Sequence, residues 1–581
     1  MQYPKLRVIP TSRQMIDVFG GYNHNLRINE NEFFDMKNMT SDHYPVLAPR
    51  SGRGVYIDTN TAPIETDKRV NGLIAKDALC YVDGSKFVIN EYPIEMGLTD
   101  TPKQLISMGA YVIILPDKKF INTAHHEDRG DIEVKNSLGE GDTVSVALVR
   151  ENGEEYGEYP ISDTAPEDPE NGDLWLDTST TPHSLKQYSS TSSLMWVQVA
   201  TTYVRISAPN IGKGINAYDG ITIKGIKEES LNGSFIVQSA ADDYVTVIAI
   251  IDEAFSQTEA VTVSRTMPEI DFLTECGNRL WGCKYGIVDG KVINELYACK
   301  LGDFKNWECY MGISTDSWRA SVGTDGMFTG ATTHMGYPVF FKENCLHKVY
   351  ISSVGAHQVQ DTACRGVQQG CERSLAIVNE TLYYKARTGI MAYDGALPVS
   401  ASYVLGENRY HDAIAAAHGN KYYVSMLDEG NTANIFVYDT AKGVWHREDN
   451  ERVLDFCSCK GELYAISEDR TKILTMTHGN EVVEWSVQTG EIGLSSPDMK
   501  FMSRVTIRMF LPPASTVRIY VQYGFEDTWH KVFETTSTTL RSFSIPIRPK
   551  RCDFMRMRIE GVGDAKVYAI TKTLRNGSEI S

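Results

Sequence analysis

The residues best suited to do chemistry in this sequence are three aromatics, Trp175, Tyr188 and Trp196. They sit in Gly172-Asp173-Leu174-Trp175-Leu176-Asp177, Leu185-Lys186-Gln187-Tyr188 and Trp196-Val197-Gln198-Val199, behind the proline-rich lead Asp163-Thr164-Ala165-Pro166-Glu167-Asp168-Pro169. Flat rings stack on sugar faces, so the trio is a candidate glycan platform. The same rings would equally form the core of a small module with little else to bury. Glycoside hydrolysis needs two carboxyl groups flanking a sugar bond. Asp173 with Asp177 is such a pair, but a chain with 75 acids holds many. Cys457 and Cys459 share a strand face, yet the further ligands that zinc requires are not spaced to join them, so they read as buried thiols. His125-His126-Glu127-Asp128 reads as a solvated loop. The spellings of the nucleophile elbow, the phosphate loop and the zincin helix do not occur. No metal, cofactor or catalytic residue is expected, and the chain reads as not an enzyme.

The elements that position these residues must be strands. At 581 residues the chain is too long for one compact unit. With 42% hydrophobic and 23% charged residues it has the composition of a soluble globular protein. It contains no apolar run long enough to span a bilayer, and its first residues lack the apolar core of a signal peptide, so folding in the cytoplasm is expected. Eleven cysteines, an odd number, then read as reduced. The net charge of −18 argues against a protein that coats nucleic acid. That charge is unevenly spread. Residues 151–173 carry nine acids and no Lys or Arg, whereas residues 500–581 carry 14 basic residues against seven acids. Such a dipolar chain suggests head-to-tail association.

A unit recurs through the middle of the chain: a small or apolar strand, a Gly or Asn turn, and a strand rich in Tyr, Trp or Phe. Its turns at 277, 336, 379, 419 and 461 are 59, 43, 40 and 42 residues apart, the period of propeller blades. Gly72–Val82 and Met108–Ile114 resemble the same unit. The recurring rings are expected to pack between blades. Residues 128–267 are too long for a loop and carry strands of their own. From about 500 onward, Val505, Ile507, Met509 and Leu511, then Val517, Ile519 and Val521, then Met555, Met557 and Ile559 alternate with polar residues, many of them arginines, as a sheet with one buried face would. Those arginines would meet phosphates or a neighbour's carboxylates. The expected fold is all-β: a propeller of six or seven blades, an inserted β region and a C-terminal β-sandwich. Its divisions are an arm and lead-in (1–64), a first propeller segment (65–127), the insert (128–267, with the aromatic module near 160–200), the main propeller segment (268–495) and the sandwich (496–581).

The module near 160–200 resembles the small carbohydrate-binding-like modules of phage tail proteins. The opening of the chain carries a more specific resemblance. Phe19-Gly20-Gly21-Tyr22-Asn23, Ile28-Asn29-Glu30-Asn31-Glu32-Phe33-Phe34-Asp35-Met36-Lys37-Asn38-Met39 and Pro45-Val46-Leu47-Ala48-Pro49-Arg50-Ser51-Gly52-Arg53-Gly54 resemble the start of the tail hub or nozzle proteins of short-tailed bacteriophages, also called packaged-DNA stabilisation proteins. The large acidic insert departs from that pattern. The resemblance implies a structural virion protein, assembled in the host bacterial cytoplasm. It would form a homo-oligomeric ring, with a hexamer favoured, below the portal and adaptor, with genomic DNA passing through the lumen. Phe19, Phe33, Phe34, Met36 and Arg50 become candidate assembly contacts of an arm that has no periodic apolar partner and is expected to be unordered before assembly. The alternatives are a host-surface glycan-binding tail protein and, behind it, a propeller hydrolase.

Overall fold

The computed structural model describes residues 11–61, 69–139, 141–191, 195–352, 357–493, 499–548 and 550–576. Nearly all regular structure is strand; the helical elements among the described residues are three short 3-10 turns. Seven four-stranded antiparallel sheets follow in order: 70–95, 104–131, 272–321, 328–363, 376–400, 410–447, and 453–475 with 54–58. The first strand of each lines a common axis, and Val453–Cys459 of the last blade lies against Val70–Ala75 of the first. This is a closed seven-bladed β-propeller, an all-β fold whose sheets leave only short edges. The five turns of the sequence repeat are one and the same hairpin, joining the first two strands of blades 3 to 7. At Met335-Gly336 and Lys460-Gly461 both turn residues have positive φ, the mirror-image geometry that matches strand twist. The recurring rings do pack between blades: Phe341 meets Tyr384 at 5.0 Å across blades 4 and 5, and Tyr383 meets Tyr422 at 5.4 Å across blades 5 and 6.

Residues 11–61 of the N-terminal segment are distributed over the rest of the molecule; residues 1–10 and 62–64 of the expected arm lie outside the described residues. The C-terminal sandwich consists of two five-stranded sheets. One contains Lys500–Phe510, Arg541–Ile545, Arg551–Cys552 and Lys566–Asn576, with Thr11–Ile16 as its added strand. The other contains Glu484–Thr489, Thr516–Tyr523, His530–Thr535 and Met555–Val562, with Phe33–Lys37 added. Val505, Ile507 and Met509 of one sheet and Ile519, Met557 and Ile559 of the other form a shared core. The strand Gly54–Asp58 then completes blade 7, pairing Val55 with Leu474 and Gly54 with Thr475. An unordered arm is therefore not what the structure shows. Phe19, Phe33 and Met36 are 3%, 2% and 0% exposed in the main core, each burial contributing roughly 1.5–3 kcal/mol. Phe34 stacks on His24 at 4.2 Å. Phe19, Phe33 and Met36 are thus spent on the fold of their own chain, while Phe34 is half-buried. The strand partners of Phe33 and Met36, Thr489 and Val487, lie more than 400 residues further along, which is why no local period revealed them.

The insert leaves after blade 2 and returns before blade 3. Its eight-stranded sheet runs from Val134–Ser137 to Thr262–Arg265 in sequence and encloses its own core, including Val144, Val204, Ile223 and Val263. A separate four-stranded sheet, 161–198, is carried on it. The insert is anchored to blade 3: Asn306 donates to Asp219 at 2.9 Å and accepts from the Gly220 amide at 3.0 Å, and Ile132 and Met267 pack with Leu280 and Trp307.

Candidate functional site

Three places bring together side chains able to act: the aromatic module of the insert, the axis of the propeller and the crossing point of the N-terminal segment. In the module, Leu174–Asp177, Ser184–Ser189 and Met195–Gln198 form a meander in which Tyr188 pairs directly with Trp196. Their rings meet edge to face at 5.4 Å, and Trp196 meets Trp175 the same way at 5.4 Å. Trp175 is 5% exposed, its indole N–H donates to the Ser162 carbonyl at 3.1 Å and hydroxyl at 3.0 Å, and Lys186 covers its face. Trp175 is thus the module's core. Tyr188 and Trp196, both half-buried, are the rings that reach solvent. The structure brings all three expected residues together but leaves two, not three, for a ligand. Asp177 pairs with Lys186 at 2.6 Å, and that contact holds its carboxyl down at about 2. It stays ionised at neutral pH and ties two strands together.

Along the axis of the propeller lies a cavity of about 520 Å³, walled by Leu73, Leu105, Phe272 and Ala331 from four first strands, a size suited to a small ligand. Arg373, from the turn that precedes blade 5, crosses it. Its guanidinium donates to the Leu454 carbonyl at 2.8 Å and to the Lys103 carbonyl at 3.2 Å, and lies 3.6 Å from Asp455. Burial pushes the Asp455 carboxyl up, against the pull of Arg373. Glu269 and Lys118 stand at the same cavity, 3.2 Å apart. Sequence reading missed this group, because its members come from blades far apart in the chain.

The third place explains the glycine-arginine spelling of the opening segment. Arg50, 4% exposed, donates to Asn38 at 2.9 Å, to Asp449 at 3.0 Å and to Glu481 at 3.0 Å. Arg53 donates to Glu448 at 2.7 Å and to Asp449 at 2.8 Å. Gly52 and Gly479 lie where a Cβ would overlap the facing backbone, at Glu481 and Arg53 respectively, so the two segments press backbone to backbone while the arginines reach the acids. Arg50 therefore clamps its own chain. Of this cluster, Arg50 and Arg53 both stand in the opening motif, and Arg50 was its candidate residue; the adjacent acids Glu448-Asp449 carried no local signal.

The other spellings are structural. Cys457 and Cys459 are packed with Val70 and Tyr81 between blades 7 and 1, and burial pushes the Cys457 thiol up to about 12. His125 and Glu127 are exposed, 3.5 Å apart. Among the described residues, no group of three or more His, Cys, Asp or Glu is placed to hold a metal, and no helix is long and apolar enough to cross a membrane.

No family model matches this sequence, and no curated protein matches it. Solved structures do. An exo-β-1,3-galactanase from Phanerochaete chrysosporium, determined with galactose, is 7% identical, with 52% of this chain and 94% of that chain covered and a TM-score of 0.21. BamB from Moraxella catarrhalis is 9% identical over 75% of this chain and 99% of that chain, TM-score 0.28. A GH43 glycoside hydrolase engineered for endo-xylanase and exo-arabinofuranosidase activity is 7% identical over 53% and 96%, TM-score 0.19. The expectation that the chain is not an enzyme is corrected by this finding, since glycoside hydrolases stand among the proteins it is similar to. At these identities and scores no substrate and no residue role passes to this chain.

Proposed function

We propose that this chain is a structural protein of a bacteriophage tail, forming a ring-like hub or nozzle below the portal and adaptor that retains and conducts DNA. The observation that carries the reading is the opening segment, 19–54. The residues that resemble the hub proteins are also the ones that staple the molecule: Phe33–Lys37 adds to the sandwich, Arg50 and Arg53 clamp the acids after blade 6, and Gly54–Asp58 closes blade 7. Stapled, short-edged sheets suit a part that must hold its shape under load and not aggregate through its edges. The test is the mass of the purified protein in solution, alone and with virion-neck proteins, with negative-stain imaging. A ring with a central hole is the expected result; a chain that stays monomeric and never joins neck proteins would refute it.

A second reading rests on Tyr188 and Trp196, whose adjoining half-exposed rings offer a surface to a host-surface glycan. Retention on a glycan array that is lost in Trp196→Ala, with melting unchanged, is the result this reading requires.

A further inference from the structure

The two outer faces of the C-terminal sandwich differ in a way that points to a partner. On the sheet containing Thr516–Tyr523 and Met555–Val562, the outward arginines are neutralised within the chain: Arg518 by Glu534 at 2.8 Å, Arg556 by Glu491 at 2.7 Å, and Arg558 by Glu560 at 2.8 Å. On the opposite sheet, none of the five strands contains an Asp or Glu. Its outward face carries Arg13, Arg504, Arg508, Arg551 and Arg575, all exposed, and among the described residues none of them forms an ion pair. Their register makes them a patch. Arg13 and Arg504 flank Thr573 from either side, and Arg575 stands between Thr11 and Phe501, which in turn pairs with Arg551. Strands are about 4.8 Å apart and alternate residues about 6.7 Å apart, so the five charges share a flat area of roughly 15 by 20 Å. The remaining outward positions include Thr506, Thr571, Ser542 and Ser544, all of them hydrogen-bonding groups.

The complementary charge is on the same molecule. All nine acids of residues 151–173 in the insert are exposed, and among the described residues none is ion-paired. We infer that the arginine face docks the acidic 151–173 segment of a second copy of this chain, making a head-to-tail contact that closes into a ring. This deepens the hub reading and rests on it. An interface of this kind, between two different patches, is the sort that generates rings when the rotation closes. The occupant is argued from that strip: nine exposed acids within 23 residues of the same chain match the charge of the arginine face, and complementary patches of this kind steer one protein surface onto another.

The experiment uses the full chain and two charge-reversed variants, Arg504→Glu with Arg508→Glu, and Glu154→Arg with Glu155→Arg and Glu158→Arg. Association is read by sedimentation at low and high salt, and circular dichroism confirms folding of each variant. Each variant alone should associate roughly tenfold or more weakly than the native chain. An equimolar mixture of the two should recover association, because alternating copies restore opposite charges at every contact. Association that persists in both variants overturns the docking inference and leaves the hub reading standing. A native chain that stays monomeric at every concentration also overturns it, and the hub reading is then decided separately by co-sedimentation with neck proteins. Retention of the monomer on duplex DNA that is lost in the arginine variant would assign the face to nucleic acid and overturn the inference as well.

Discussion

Replacing Arg50 with Met removes the charge that holds the N-terminal segment against blades 6 and 7 while keeping the length of its stem. The cost can be worked from the partners left behind. Glu481, with its side chain 41% exposed, regains water and contributes at most about 1 kcal/mol. Asn38, 4% exposed, loses the donor to its side-chain oxygen, a loss of roughly 1–3 kcal/mol. Glu448 and Asp449, 5% and 17% exposed, keep Arg53 but lose the second guanidinium. Together these place the effect near the lower end of the 3–5 kcal/mol expected for a broken buried pair, about 3 kcal/mol, or about two powers of ten in the local opening equilibrium. Hydrogen exchange reads this directly, at the Arg50 amide bonded to the Asn38 carbonyl and across Gly54–Asp58. Protection at those amides within about threefold of the native chain would refute the reasoning. The clamp also has a predicted pH range. Burial alone would raise the Asp449 and Glu481 carboxyls, but Arg53 and Arg50 outweigh it for Asp449, and Arg50 and the Arg53 amide do so for Glu481, holding both below the ordinary range. A carboxyl depressed in the folded state contributes stability that is present above its unfolded value and lost as pH falls through the folded one, so the clamp should weaken only below about pH 4.

Trp175→Ala should melt the insert's four-stranded sheet, at roughly 3–5 kcal/mol, whereas Trp196→Ala should leave its melting nearly unchanged; equal losses, followed by near-ultraviolet circular dichroism, would contradict the core role given to Trp175. Gly479→Ala places a methyl group against the Arg53 backbone and should open the same amides that Arg50→Met opens, without altering exchange in blades 2 to 4; unchanged protection at the clamp would show that the two backbones are not in close contact. Burial, helped by Lys421, pushes the His446 imidazole down to about 3. The unfolded chain takes up this proton near pH 6.5 and the folded chain does not, so stability falls as pH drops from about 6.5 toward 3. His446→Gln should lose less melting temperature between pH 7 and pH 4.5 than the native chain does, and an identical loss in both would exclude this residue as a source of acid sensitivity.

What could be read from the sequence was whatever is local. The blade repeat was legible because each copy is a hairpin whose turn and flanking strands are contiguous, and the sandwich was legible because Val505, Ile507 and Met509 alternate within one strand. Phe33 and Met36 were not legible, since the strand they form pairs with Glu484–Thr489. The aromatic trio shows the limit at close range: type and spacing made Trp175 and Trp196 equivalent, and their separation into core and surface depends on the Ser162 contacts and on Lys186, which only the folded module supplies. The arginines show the same limit with more consequence. Period-2 arginine reads as a single wet face, but strands that alternate alike are dealt to two sheets, and pairing decides which arginines find a carboxylate. Arg518 finds Glu534 on the adjacent strand. Arg504 lies between Lys566–Asn576 and Arg541–Ile545, neither of which contains an acid. An exposed lone arginine is ordinary, and five on one sheet with no acid in any of its strands is not a solvation pattern, because all three arginines in the strands of the opposite sheet are paired with carboxylates. The asymmetry is therefore in the placement of the carboxylates, and carboxylates that would balance it stand exposed on the insert, without an ion pair among the described residues.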